Sequence, residues 1–217
     1  MKATAVYENN NLKLMLEDSG EHTLQLEAAF YQKHGELFVK EFQGEFSNAN
    51  QIIKNFERLM PYAFEQGEWE KALLQFAKIC KENKIVWFLT GSACDAVRGM
   101  DIRPHDLDIE IFSGDWKKAE KILENYIVEP FIETTGWARD YFGRIVVENT
   151  LVDVVADEKY DFPNYPYEPV EWNGYTLWLE PFANRYCTEQ QRKRRDRIEK
   201  FEEYLKWKMG LEIAGEK

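Results

Sequence analysis

The sequence has few cysteines, no long apolar run and no surplus of basic charge. Its three cysteines, Cys80, Cys94 and Cys187, are odd in number and far apart, which fits neither a disulfide framework nor a zinc site. No apolar stretch is long enough to span a bilayer, and the polar first residues lack the apolar core of a signal peptide. We therefore expect a cytoplasmic protein that makes no use of a membrane.

The charge balance restricts the class of partner. The 217 residues include 28 Lys and Arg against 39 Asp and Glu, which gives a formal net charge of −11. Such a chain repels polyanions at long range, so no extended nucleic-acid surface is expected. A hydrophobic fraction of 44% and an aromatic fraction of 15% provide enough apolar surface for a folded globular protein.

The first part of the chain has the pattern of a small β-meander followed by helices. Short extended runs are separated by turn residues and lie at 12–16, 23–31 and 37–42. Apolar residues then take helical spacing at 47–61 and again at 68–82. We predict an N-terminal β-meander and helix of unknown role over residues 1–67.

Strands alternate with helices from residue 84 onward. The predicted strands are 85–89, 105–112, 127–134, 143–148, 151–156 and 175–179, and the predicted helices are 92–98, 115–125 and 188–209. The fold class that this order predicts is α/β (α+β), with a mixed, twisted sheet flanked by helices. We place the chemistry-bearing core at residues 68–185 and a C-terminal helix packed on it at residues 186–217.

Residues 106–111 alternate acidic and aliphatic side chains, as Asp-Leu-Asp-Ile-Glu-Ile. In a strand this pattern puts three carboxylates on one face. Side chains two residues apart are separated by roughly 6.5 Å at Cα, close enough to share one or two cations. Without a cation they repel and raise one another's pKa. A half-exposed strand with an acidic outer face is the structural alternative.

Two further features lie on either side of this strand in the sequence. Asp153 interrupts the apolar run 151–155, where a lone acid requires a partner or an exposed edge. Gly91 and Ser92 form a small-residue turn between a buried strand and a helix, where backbone N–H groups can receive phosphate. Together with the acidic strand they favour magnesium or manganese, because hard cations select several oxygen ligands.

The chain resembles the polymerase-beta-like nucleotidyltransferase superfamily in these segments. Its hallmark is hydrophobic-Gly-Gly/Ser, a gap, Asp-hydrophobic-Asp/Glu-hydrophobic and a later third acid. Residues 88–92 read Phe-Leu-Thr-Gly-Ser, and thirteen residues separate them from Asp106-Leu107-Asp108-Ile109. Arg103 and His105 before the acids are similar to the small aminoglycoside and lincosamide nucleotidyltransferase branch. The likeness covers roughly residues 75–156, and residues 1–70 lie outside it.

The resemblance implies a fold, an activity and a set of site residues. It implies a nucleotidyltransferase-type fold and transfer of a nucleoside monophosphate from a nucleoside triphosphate to a small-molecule or protein hydroxyl acceptor. The cofactor would be Mg²⁺ or Mn²⁺, and pyrophosphate would leave. It implies catalysis and metal ligation by Asp106, Asp108 and Asp153, and nucleotide contacts by Gly91, Ser92 and Arg103. Asp140 and Asp157 are the alternatives for the third acid.

Two other functions stay open on the sequence alone. A non-catalytic nucleotidyltransferase-fold protein would bind nucleotide or a partner protein, as an antitoxin or regulatory subunit does. An ordinary metal-binding or interaction domain would bind no triphosphate. The basic run 192–197 fits either contact with a triphosphate or anionic acceptor, or a solvated helix face balanced by glutamates. We interpret His105 as a hydrogen-bonding neighbour of the acids, outside the catalytic set.

Overall fold

The computed structural model describes residues 1–64, 68–135 and 138–210, and its strands form two sheets. The N-terminal sheet is built from β1 (Lys2–Glu8), β2 (Asn11–Glu17), β3 (Gln32–His34) and β4 (Leu37–Gln43). Its order is β1-β2-β4-β3, and all neighbours are antiparallel. The predicted antiparallel N-terminal sheet is present, with a first strand that the sequence pattern did not identify. It departs from a simple meander because β2 pairs with β4 and not with β3.

The second extended run predicted in this region, 23–31, is wrong. Thr23–Ala28 form a short helix, α1, in which Leu26 is the buried residue. Leucine, glutamine, glutamate and alanine are good helix formers, and one buried position in six residues does not require a strand. The helix ends before Phe30, which takes a left-handed φ of 65°.

The second sheet contains seven strands. They are β5 (Trp87–Thr90), β6 (Leu107–Ile111), β7 (Ile127–Glu133), β8 (Tyr141–Val147), β9 (Thr150–Ala156), β10 (Glu168–Trp172) and β11 (Tyr175–Leu179), in the order β10-β11-β5-β6-β9-β8-β7. β6 pairs in parallel with β9, and β11 with β5, whereas the remaining pairs are antiparallel. The predicted mixed sheet is confirmed. β10 was not predicted because Pro169 and exposed polar residues mark it as an edge strand.

Six further helices accompany the sheets. They are α2 (Ala49–Leu59), α3 (Trp69–Asn83), α4 (Gly91–Val97), α5 (Trp116–Ile122), α6 (Phe182–Gln191) and α7 (Arg195–Lys208). None of the helices in the described ranges is long and apolar enough to cross a membrane.

The single C-terminal helix predicted for residues 188–209, within the predicted unit 186–217, is wrong. The chain forms α6 and α7 with a turn between them, where Lys193 has a left-handed φ of 56°. The boundary placed after residue 185 falls inside α6. The turn lets Phe201 of α7 pack on Met100 and Ile102 in a small second core. A straight helix would forgo that burial, which for an aromatic side chain contributes about 1.5 to 3 kcal/mol.

Buried residues of both sheets belong to one hydrophobic core. Asn55 of α2 is buried and donates hydrogen bonds to the carbonyls of Glu124 and Ile127, at 2.8 and 2.9 Å. These bonds fix the N-terminal unit against β7, because a buried amide without partners would cost free energy. The boundary predicted after residue 67 adjoins residues 65–67, which lie outside the described ranges, and it stays a prediction.

Candidate active site

One polar row crosses five strands of the larger sheet. The register pairs Thr90 with Asp108, and Asp108 with Asp153. It continues by pairing Asp153 with Arg144, and Arg144 with Glu129. Directly paired residues project from the same face of a sheet. The row therefore places Asp108 and Asp153 side by side on β6 and β9.

A cavity of about 550 Å³ opens over this row. Five of the six predicted site residues line it, and these are Gly91, Ser92, Asp106, Asp108 and Asp153. The acidic strand and the later acid thus meet beside the Gly-Ser turn. We call this space the larger cavity, in contrast to the smaller cavity of about 460 Å³ that adjoins it.

The other candidates from the sequence have different positions. Arg103 is exposed and is not among the described residues that line the larger cavity, so its position gives no support to a nucleotide contact. Asp140 is exposed. Asp157 accepts a hydrogen bond from the backbone N–H of Lys159 at 2.8 Å, as a cap residue does. His105 lines the cavity beside the acids.

Gly91 allows the turn to approach the second acid. Its φ of +64° lies in the left-handed region, where a side chain is strained. A Cβ added at Gly91 would fall on the carboxylate of Asp108. The hydroxyl of Thr90 donates to the backbone carbonyl of Asp108 at 3.2 Å and ties the two strand ends together. Glycine is thus required here for both conformation and space.

Asp108 in β6 and Asp106 just before β6 both have raised pKa values. Burial raises the pKa of Asp108 to about 8, and the charges of Asp106 and Asp153 add to the rise. Burial, and then the charge of Asp153, also raises the pKa of Asp106. Asp108 is a partly buried acid whose carboxylate accepts none of the hydrogen bonds found among the described residues. Such a carboxylate pair fits a divalent cation, which neutralises both charges.

The fit to a metal holds for two carboxylates rather than for a complete triad. Among the residues that the structure describes, no group of three or more His, Cys, Asp and Glu side chains is arranged to hold an ion. Asp106 and Asp108 form none of the ion pairs found in the described ranges, so they are the candidate metal ligands. The third acid, Asp153, already has a cationic partner.

Arg144 of β8 binds Asp153 through two nitrogens. Nε and one terminal nitrogen approach the two carboxylate oxygens at 2.5 and 3.1 Å. The other terminal nitrogen lies 3.1 Å from Glu129 and 2.8 Å from the carbonyl of Ala29. Burial opposes the charge, but Glu129 and Asp153 outweigh it and raise the pKa of Arg144 above its usual range. Arg144 is therefore a fixed cation behind the third acid.

Sequence reasoning did not identify Arg144, although a signal was available. Arg144 directly precedes the apolar run 145–147. Asp153 likewise lies within the apolar run 151–155. Two opposite charges on two adjacent apolar strands predict each other as partners, since a buried charge requires one.

Arginines of the C-terminal helices form the opposite wall. Arg185 of α6 binds Asp95 of α4 at 2.7 Å and Glu189 at 2.9 Å. The turn between α6 and α7 brings three members of the basic run to the larger cavity, namely Arg192, Arg194 and Arg197. Of the two interpretations of the basic run 192–197, the cavity lining supports contact with a triphosphate or anionic acceptor over a solvated helix face.

A second cavity of about 460 Å³ adjoins the first at Gly91 and Asp108. Its wall includes Tyr160, Tyr165, Asn184 and Arg139. We call it the tyrosine cavity.

Glu110, the last acid of the alternating segment 106–111, lies near the tyrosine cavity. Glu110 is buried, and burial raises its pKa to about 7 although Arg139 opposes the rise. Arg139 lies 2.8 Å from Glu110 and stacks 3.7 Å from the ring centroid of Tyr160. Glu110 therefore belongs to a structural ion pair, apart from the two free acids.

Comparison with solved structures tests the fold. A Thermotoga maritima protein described as a nucleotidyltransferase aligns with a TM-score of 0.51 and 18% identity, over 64% of this chain and 92% of that one. This chain has the nucleotidyltransferase fold. The resemblance stated from residues 88–92 and 106–109 is therefore confirmed at the level of the fold.

Two other nucleotidyltransferase structures align less well. A lincosamide antibiotic adenylyltransferase with lincomycin bound has a TM-score of 0.48 and 13% identity, over 61% of this chain and 96% of that one. ANT(2″)-Ia in complex with adenylyl-2″-tobramycin has a TM-score of 0.42 and 13% identity, over 61% of this chain and 87% of that one. No family profile and no curated protein sequence matches the chain. Because one fold hosts many functions, the activity has to be argued from the site.

Proposed function

We propose that this protein is a metal-dependent nucleotidyltransferase that moves a nucleoside monophosphate from a nucleoside triphosphate to a hydroxyl acceptor. The observation that carries the proposal is the meeting of Asp106, Asp108 and Asp153 in one cavity beside Gly91 and Ser92. A purely structural acid cluster would be paired with cations of the protein. The pair Asp106 and Asp108 instead has raised pKa values, the expected property of a site that receives a cation.

The proposed reaction is a displacement at phosphorus. The acceptor oxygen forms a bond to the α-phosphorus, and the bond from that phosphorus to the bridging oxygen breaks. The bond's electron pair leaves with pyrophosphate, and the hydroxyl proton passes to Asp153 or to water. A divalent ion held by the acids would neutralise negative charge on the reacting phosphate.

The residues of the chain have separate tasks in this scheme. Asp106 and Asp108 would hold the ion. Gly91 and Ser92 place backbone N–H groups beside the phosphates. Arg192 lines both cavities and is placed to neutralise the triphosphate.

A second function is favoured by one observation. The two carboxylate oxygens of Asp153 both contact Arg144, which occupies the acid that transfer would use. A protein that binds nucleotide without transfer, in a regulatory or antitoxin role, would tolerate that arrangement. The two functions share triphosphate binding and differ in turnover.

Calorimetric titration of the four nucleoside triphosphates in Mg²⁺ tests the shared step. We expect one or more to bind the wild type, and Asp108→Asn to abolish binding. Pyrophosphate release in the presence of a pooled metabolite extract then separates transfer from binding alone. Binding of no triphosphate with either Mg²⁺ or Mn²⁺ would contradict both functions.

A further inference from the structure

We propose that the acceptor occupies the part of the larger cavity between the N-terminal region and helix α7, and that it is a small hydroxyl compound with an anionic group. This inference rests on the nucleotidyl transfer proposed above. It names the acceptor class and gives a role to the residues before residue 68, which the resemblance did not cover.

The two cavities meet where the phosphates are proposed to lie. They share Gly91, Asp108, Arg185 and Arg192, whereas Asp153 lines the larger cavity and is not among the described residues of the tyrosine cavity. In a phosphoryl displacement the attacking and leaving oxygens lie roughly in line, on opposite sides of the phosphorus. The proposed reaction passes the hydroxyl proton to Asp153 or to water, and we therefore place the acceptor in the larger cavity, which Asp153 lines.

The N-terminal region closes the larger cavity beyond Asp153. The lining residues from this region are Leu24, Gln25, Ala28, Ala29, Ala63 and Phe64. The carbonyl of Ala29 accepts hydrogen bonds from Lys40 at 3.0 Å and from Arg144 at 2.8 Å. The arginine that binds Asp153 therefore also fixes this wall. A volume of about 550 Å³ is that of a small-molecule site.

The charge of this part of the cavity selects an anion. Arg194 and Arg197 line the larger cavity and are not among the described residues of the tyrosine cavity. Arg197 forms none of the ion pairs found among the described residues. Arg194 is paired with Glu189 at 2.6 Å through one terminal nitrogen, but its Nε is buried and has no hydrogen-bond partner among those residues. The three acids of the cavity have other tasks, two toward the metal and one toward Arg144. The surplus is cationic, and guanidinium groups bind phosphate or carboxylate through paired hydrogen bonds.

The acceptor undergoes the displacement at phosphorus proposed above. Its hydroxyl oxygen gains the bond to the α-phosphorus, pyrophosphate leaves with the electron pair of the broken bond, and the hydroxyl proton is released. The anionic group takes no part in bond making. Its contacts with Arg194 and Arg197 hold the hydroxyl beside Asp153.

Inorganic phosphate is the probe for the anionic group. The protein is first saturated with Mg²⁺ and a non-hydrolysable analogue of a triphosphate that binds, so that phosphate meets only the remaining part of the site. Phosphate binding is then measured by calorimetry for the wild type, Arg197→Gln and Ala28→Glu. The matched control is Arg195→Gln, because Arg195 is exposed on the same helix turn and does not line either cavity among the described residues.

We expect phosphate to bind the saturated wild type. Arg197→Gln and Ala28→Glu should each weaken phosphate at least tenfold while triphosphate affinity stays within twofold. Arg195→Gln should leave both affinities unchanged. The unliganded melting temperature of each variant verifies folding, since all three altered side chains are at the cavity surface or exposed.

Three results would overturn the inference. The first is no phosphate binding to the saturated wild type. The second is a loss of triphosphate affinity in Arg197→Gln, which would assign that arginine to the nucleotide. The third is obtained with the polycation tobramycin as the probe in place of phosphate. It is binding of tobramycin to the saturated protein with an affinity that Ala28→Glu increases. Failure of every triphosphate to bind is a different result, because it removes the proposed function itself and the acceptor with it.

Discussion

Arg144 and Asp153 face each other on adjacent strands and form a two-pronged ion pair, at 2.5 and 3.1 Å. The pair lies at the centre of a row that runs from Thr90 to Glu129. It divides the site into a free acid pair on one side and a buried cation network on the other. Whether Arg144 orients Asp153 for transfer or withholds it decides between the two functions considered above.

Arg144→Lys separates these two roles. Lysine keeps the charge but forms no paired contact with a carboxylate. If Arg144 orients Asp153, we expect kcat to fall at least tenfold while triphosphate affinity stays within twofold. Steady-state pyrophosphate release and calorimetry measure the two quantities. Higher turnover in the variant would instead show that Arg144 withholds the acid.

Glu129→Gln should destabilise the fold by about 3 to 5 kcal/mol, because it leaves two buried cations without their shared anion. Glu129 is fully buried and lies 2.6 Å from Lys40 and 3.1 Å from Arg144. The free energy of unfolding in urea is the measurement. Glu41→Gln is the control, since Glu41 forms an exposed pair with Lys13, and exposed ion pairs contribute little to stability. Equal losses in the two variants would contradict the buried network.

Asp108→Asn should stabilise the metal-free protein, by about 1 kcal/mol or more at pH 8. The pKa of Asp108 rises on folding from its ordinary value of 3.8 to about 8. The native state therefore holds a proton that the unfolded state has lost, so this acid lowers stability progressively as pH rises from about 4 to 8. Urea unfolding of both proteins at several pH values measures the difference. A loss of several kcal/mol at pH 8, with triphosphate binding intact, would identify Asp108 as a structural acid.

Mg²⁺ with a bound triphosphate should stabilise the wild type by about 2.7 kcal/mol at a hundredfold excess over the dissociation constant. The cation relieves the repulsion between Asp106 and Asp108. Thermal melting with each of the four triphosphates measures the shift. Asp140→Asn is the control, because Asp140 is exposed and should leave the shift intact. Unchanged melting for all four nucleotides with both metals contradicts the metal site.

Gly91→Ala should lower both stability and triphosphate affinity. The left-handed φ of Gly91 costs an alanine about 1 to 2 kcal/mol, and the added Cβ displaces the Asp108 carboxylate. Gly99→Ala is the matched control, because Gly99 has a φ of +92° but an added Cβ meets nothing within 4 Å. We expect the control to lose stability alone. Loss of triphosphate affinity in both variants to the same extent would show that strain, and not contact with Asp108, is responsible.

Local sequence patterns predicted the elements whose apolar period is regular. The strand at 175–179 and the mixed sheet follow from alternation and apolar runs, because each pattern reports which face of an element is buried. The segment 23–31 was misread because alternation over a few residues does not distinguish a strand from a short helix. The break between α6 and α7 was missed because the buried residues of α6 are the charged Arg185 and Glu189, so no apolar period marked α6 as a separate helix.

The sequence by itself determined that two acids and a Gly-Ser turn lie at the ends of neighbouring strands, since the residues concerned are close along the chain. Only the tertiary structure decided the partners that come from distant segments. Strand register placed Arg144 against Asp153, a turn at residue 193 directed Arg194 and Arg197 into the cavity, and the packing of α1 supplied its far wall. These contacts depend on burial between elements, a property of the whole fold that no local spacing encodes.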